Sequence, residues 1–128
     1  MRTVNKVILI GNITRDPAIK STENDKKIAL FTIATNRYYK TAEGEQKSES
    51  EFTNCVAWGN LAERCEQFLT KGKLVYAEGR LKTRVIEKED WTKMYKTEVV
   101  VSNIIFLNKR DDFEDTDLES AGFEDDKF

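Results

Sequence analysis

An all-β barrel of five strands, with one short helix between the third and fourth strands and an acidic tail behind, is the fold this 128-residue sequence predicts. Three observations lead there. Five stretches rich in β-branched and aromatic residues are separated by polar or glycine-containing turns. One stretch near the middle changes its apolar spacing from every second residue to helical spacing. After Asn108 the aliphatic residues nearly stop, and nine acids accumulate in residues 110–128.

The elements follow in order. Residues 3–13 form a first strand around Val4, Val7, Ile8, Leu9, Ile10 and Ile13, and Gly11 inside it predicts a bend or bulge. Arg15-Asp16-Pro17 is a turn and residues 21–26 are a polar loop, so the second strand covers residues 27–36. Tyr38-Tyr39-Lys40 opens a polar loop over residues 41–49. In the third strand Phe52, Asn54, Val56 and Trp58 alternate with Thr53, Cys55 and Ala57, and the pattern leaves open which side is buried. Leu61, Ala62, Cys65, Phe68 and Leu69 then recur at helical spacing. Gly59 is the break, Asn60 the expected N-cap, and Lys71-Gly72-Lys73 the closing signal. The fourth strand covers residues 74–84, with Gly79 a second bend. A long hairpin tipped by residues 87–90 returns through Trp91 and Tyr95 into the fifth strand, residues 97–108. Phe31, Phe68 and Phe106, set in apolar runs, are assigned to the core.

Five strands with one helix between the third and fourth is the arrangement of an OB-fold, a partly open Greek-key barrel that binds oligonucleotides on one face. Two units follow: a barrel domain over residues 1–109 and a tail over residues 110–128. The tail is expected to be disordered, because it has too little to bury to offset ordering its backbone.

Composition excludes several functions. The chain has no histidine, and its two cysteines, Cys55 and Cys65, stand ten residues apart, so neither zinc nor a disulfide framework is expected. Both cysteines read as small buried hydrophobes. There is no phosphate-binding glycine loop, no Cys-x-x-Cys and no nucleophile set beside a base, so the chain is not expected to be an enzyme or to need a cofactor or metal. No apolar run approaches the length of a signal peptide core or a membrane span, so a cytoplasmic location, away from membranes, is expected.

Charge points elsewhere. The tail's nine acids face only Arg110 and Lys127, and removing the tail from the chain's 21 basic and 23 acidic residues leaves 19 and 14, a net +5, in residues 1–109. A mildly basic body with an acidic arm fits a nucleic-acid binder. Single-stranded nucleic acid requires cations along its backbone and flat rings for its bases, each stacked base contributing about 1–3 kcal/mol. Candidate rings are Tyr38, Tyr39, Phe52, Trp58, Trp91 and Tyr95, interleaved with Lys6, Arg37, Lys40, Lys71, Lys73, Lys82, Arg84, Lys93 and Lys96.

Several short motifs occur in a telling order. Val4-Asn5-Lys6-Val7-Ile8-Leu9-Ile10-Gly11-Asn12 is followed by Asp16-Pro17, Ala34-Thr35-Asn36, Glu51-Phe52 and Trp58-Gly59-Asn60-Leu61-Ala62-Glu63. Lys71-Gly72, Glu78-Gly79-Arg80-Leu81, Thr83-Arg84 and Tyr95-Lys96-Thr97-Glu98-Val99 complete the set. Together they resemble the bacterial single-stranded DNA-binding protein (SSB) family over residues 3–107. The resemblance implies a homotetramer of OB-folds around which single-stranded DNA wraps without strong sequence preference, in replication, repair and recombination. It places base-stacking rings at Tyr39, Phe52 and Trp58, and backbone-contacting cations at Lys6, Lys40, Lys71, Lys82 and Arg84. It also implies a nucleoid-associated location. Ile86 stands where relatives often carry tryptophan, and Trp91 is the candidate replacement; Asn54, Asn60 and Val85 stand where relatives are often basic.

Family tails end in an acidic run before Ile- or Leu-Pro-Phe. Here Glu124, Asp125, Asp126 and Phe128 keep the acids and the terminal ring, with Lys127 in place of proline. The resemblance makes this tip a docking site for replication, repair and recombination proteins, and a ring beside a free carboxylate suits a basic pocket. Two other readings share the same residues: an RNA-binding OB domain, and an interaction-only replication accessory whose groove no longer binds DNA.

Overall fold

The computed structural model describes residues 2–107, which form six strands and one helix. The expected division at residue 109, the disorder of the tail, and Glu124, Asp125, Asp126 and Phe128 lie outside the described residues. Five strands are long: β1 (Val7–Ile13), β3 (Lys27–Lys40), β4 (Gln46–Trp58), β5 (Leu74–Glu87) and β6 (Lys93–Leu107). The sixth, β2 (Ala18–Ser21), pairs with β3 alone. Sequence reading passed over it because only Ile19 of its four residues is a large aliphatic, which packs against the core. The helix α1 (Asn60–Phe68) lies between β4 and β5, the third and fourth of the long strands, as expected.

The strands run β1-β5-β6-β4-β3-β2, and pairing of β1 with β3 closes the barrel. Closure is brief, through Asn12↔Ala34 and Ile13↔Ile33, while β1 pairs β5 from Val7 to Asn12. One edge of β1 therefore pairs with no strand from Val7 to Gly11 among the described residues. Gly11 stands where β1 leaves one neighbour for the other, and a Cβ there would lie 2.3 Å from the Ala34 carbonyl oxygen. Only glycine lets the two backbones come that close.

Inside lie Ile13, Phe31, Ile33, Val75, Val99 and Ile104, with Cys55 and Cys65 buried among them. A fully buried side chain of this size contributes about 1.5–3 kcal/mol. Helix α1 covers one end of the barrel with Ala62 and Cys65, and Leu69 is buried just beyond it. Lys27 on β3 donates to Glu66 on the helix at 2.6 Å, and this bond with the nearby charge raises the lysine's pKa.

Three local expectations need correction. Gly59, not Asn60, occupies the N-cap position at φ 63°, and no side chain caps the helix. The helix ends at Phe68 with Leu69 extended; Gly72, at φ 86°, belongs to a separate turn in which Lys73 N–H donates to the Thr70 carbonyl. Phe68 is not core. It is exposed and leans on Phe106, ring centroids 5.7 Å apart, because it falls on the outer side of the helix's last turn.

Both long hairpins reach beyond the barrel. Strands β3 and β4 pair without a break from Ile28↔Trp58 to Lys40↔Gln46, so the expected loop over residues 41–49 shrinks to 41–45. Strands β5 and β6 pair out to Glu87↔Lys93, with a bulge opposite Glu78 and Gly79. There Ser102 is the extra residue, and its hydroxyl donates to the Glu78 carbonyl. Inward residues on β6 change from odd (Val99, Val101) to even (Ile104) across it.

Candidate nucleic-acid interface

Strand alternation decides which side chains share a surface. On β4, Cys55 and Ala57 point into the core, which turns Phe52, Asn54, Val56 and Trp58 to the opposite face. Phe52 is 65% exposed and Trp58 49%. The β3 residues opposite them, Ala34 and Ile28, extend this face to Thr32, Asn36, Tyr38 and Lys40. Between the rings the polar groups pair with each other: Thr32 Oγ1 donates to Asn54 Oδ1 and Ser50 Oγ to Asn36 Oδ1.

The same face continues onto the second hairpin. Cys55 and Val99 are paired core residues, so Asn54 and Glu98 both lie on the outer side. The β5–β6 register adds Arg80, Lys82, Arg84 and Ile86 from β5, with Met94 and Lys96 from β6. A row of cations at every second position of β5, Arg80-x-Lys82-x-Arg84, thus lies across β6 from the strand bearing two exposed rings. Phosphate backbone and bases of a single strand need such a pairing of cations and rings.

The other predicted residues are distributed differently. Tyr39 lies on the opposite alternation from Phe52, half-buried, with the Arg37 guanidinium 4.9 Å from its ring centroid and bonded in turn to Glu49. Tyr38 takes the Phe52 face instead and is 77% exposed. With Lys40, Gln46, Lys47 and Ser48, the two tyrosines line a shallow cleft of about 520 Å³ along the arm. Lys6 stands just before β1, 3.8 Å from Glu78, and Lys71 in the turn after the helix, where its backbone N–H donates to Asp16. Lys6 shares a shallow cleft with Arg80, where β1 pairs with β5 through Val7↔Gly79.

Trp91 sits in the turn of the second hairpin at φ 68°, almost fully exposed, beyond the last paired residues. Its N–H donates to the Lys88 carbonyl, and the neighbouring Asp90 accepts from the Thr92 hydroxyl and N–H, which hold its carboxyl below the usual range. Ile86, by contrast, is half-buried on the strand. Arg80 was missed among the sequence candidates, although its two-residue spacing to Lys82 and Arg84 marks it as sharing their face.

Arg84 and Glu98 are the closest ion pair on this face, Nε to Oε1 at 2.7 Å, with Nη2 to Oε2 at 3.4 Å. The carboxylate side chain is only 6% exposed while the guanidinium's is 48%. Removing the arginine alone would leave this nearly buried carboxylate without its ion-pair partner.

Among the described residues no group of three or more His, Cys, Asp or Glu side chains could hold a metal ion. No helix among them is long and apolar enough to cross a membrane.

Comparison with known proteins matches residues 4–107 to the Single-strand binding protein family. The single-stranded DNA-binding protein of Bacillus cereus is 41% identical over 107 residues, which are 84% of this chain and 62% of that protein. Single-stranded DNA-binding protein A of Bacillus subtilis is 38% identical over the same length, 61% of that protein. The chain thus spans about three-fifths of the length of these curated relatives. Among solved structures, a Plasmodium falciparum SSB complex with ssDNA superposes with a TM-score of 0.78 at 31% identity, covering 84% of this chain and 98% of that one.

Proposed function

This chain belongs to the single-strand binding protein family, and from that premise we propose that it binds single-stranded DNA without sequence preference, by stacking bases and neutralising phosphates. The observation that carries this reading is the continuous outer face on which Phe52 and Trp58 lie beside Arg80, Lys82, Arg84 and Lys96. Rings accept any base because every base has a π-face, and cations hold a backbone common to all sequences, so this chemistry carries no sequence code. Along a strand rising about 3.3 Å per residue, Phe52 and Trp58 stand roughly 20 Å apart, a span of several nucleotides.

The finer reading adds an assembly and a tail. A β1 edge unpaired among the described residues, beside exposed Ile8, Ile10 and Ile105, favours a homotetramer, because such a surface needs a cover. Residues 110–128 recruit replication, repair and recombination proteins through Glu124, Asp125, Asp126 and Phe128, a reading supported by their acidic charge and the Phe128 ring. The chain acts in the cytoplasm, at the nucleoid, as a binder without enzymatic activity.

Titration with oligo(dT) tests the reading. Binding should quench tryptophan fluorescence, from Trp58 on the face, and weaken steeply as salt rises, because neutralised phosphates release counterions. Absence of both quenching and a gel shift at low salt would sink it, and a clear preference for poly(U) would turn it toward RNA.

A further inference from the structure

The Arg84–Glu98 pair raises a question that charge alone does not answer: why a face meant for phosphates carries a buried carboxylate. We propose that Glu98 is a positioning residue, holding the Arg84 guanidinium so that its free edge meets a phosphate of the bound strand. The proposal rests on the single-stranded DNA reading of the same face.

The geometry supports it in three ways. Glu98 sits at the base of the face with its side chain 6% exposed, across the ladder from Lys82 and diagonal to Arg84. Its Oε1 stands 2.7 Å from Nε as an ion pair and its Oε2 accepts from Nη2, which engages one side of the planar guanidinium. On the far edge Nη1 keeps both of its N–H donors and Nη2 keeps one, so one N–H from each nitrogen can form the fork that grips a phosphate bidentately. An arginine held this way has already lost its rotamer freedom before DNA arrives, so ordering it costs binding little. A lysine there would offer charge but no second edge.

Simple electrostatics makes the opposite prediction, which makes the idea testable. Glu98→Gln keeps the side chain's size and raises the net charge by one unit, so masking of Arg84 by the carboxylate predicts tighter binding and steeper salt dependence. Positioning predicts weaker binding at every salt concentration. The experiment compares the full-length wild type, Glu98→Gln and Arg84→Lys on fluorescein-labelled oligo(dT) across a salt series, with thermal melts to confirm folding. Both variants should bind roughly tenfold more weakly, the size of one preorganised charge-assisted hydrogen bond. Arg84→Lys should keep the wild-type salt slope, since its charge is unchanged.

Glu98→Gln binding as tightly as wild type or tighter overturns the proposal and leaves the DNA reading standing. So does Arg84→Lys binding as tightly as wild type, which decides the matter alone should Glu98→Gln fail to fold. A wild type that does not bind oligo(dT) at low salt removes both.

Discussion

At the scale of single residues, the two cysteines show what burial does to chemistry. Loss of water pushes the Cys55 thiol up to about 12 from 9.0, with the nearby Cys65 and Glu98 adding to the rise. Cys65 rises to about 11 by the same desolvation, opposed by Arg64. Because the thiolate is the reactive form, neither should react with a disulfide reagent at pH 8 while the protein is folded, and both should react in urea. The same shifts link to stability. Folded pKa values lie above the unfolded ones, so the thiols' contribution is fully present below about pH 9 and is lost as pH rises through 11 and 12. Urea midpoints that stay level from pH 9 to 11 would contradict this. The cysteines' burial was legible in the sequence from their apolar neighbours. Phe68 was not, because an apolar run cannot say whether a helix's last turn still touches the barrel.

At the scale of the element, the β3–β4 hairpin separates two adjacent tyrosines, of which the family resemblance singles out Tyr39 as the stacking ring. Tyr38 shares the face of Phe52, roughly 13 Å along from Ala34, while Tyr39 turns away beneath Arg37. Under the proposed function, Tyr38→Ala should weaken oligo(dT) binding by about 1–3 kcal/mol, one stacked base, and Tyr39→Ala by less. Equal losses, or a larger one at Tyr39, measured by fluorescence titration, would show that the arm twists Tyr39 toward the DNA. The alternation from Phe52 to Trp58 is plain in the residue order, yet residue order does not say which side faces water. Burial of Cys55 and Ala57 settles it. Of the five cations implied by resemblance, Lys40, Lys82 and Arg84 lie on the Phe52 face and Lys6 beside Arg80, and the sequence shows only part of this. Lys82 and Arg84 ride the same strand, but the positions of Lys6 and Lys71 depend on how distant strands close, which local pattern does not encode.

For the whole molecule, the bare edge of β1 is the feature most in need of a partner. Ile8 and Ile10 point outward beside it, as do Tyr76 and Ile105, on the outer wall formed by β1, the start of β5 and the end of β6. If copies of the chain cover this wall, replacing Ile8 and Ile10 together by glutamate should lower the solution mass from tetramer toward monomer, by sedimentation or light scattering, while the barrel stays folded. An unchanged mass would place the contact elsewhere. On β5 one alternation carries Tyr76 and Arg80 to Arg84 outward alike, whereas β6 serves both this wall and the Phe52 face only because of the bulge at Ser102, and this makes the chain's length as informative as its composition. Away from the bulge, losing one residue of β6 would turn the rest of the strand inside out, sending core side chains to water and polar ones to the core. Ser102 is the link that could drop out and leave inward and outward residues where they are, since it is the step by which the alternation already skips. A natural variant of this fold one residue shorter in its last strand should therefore have lost it at that point.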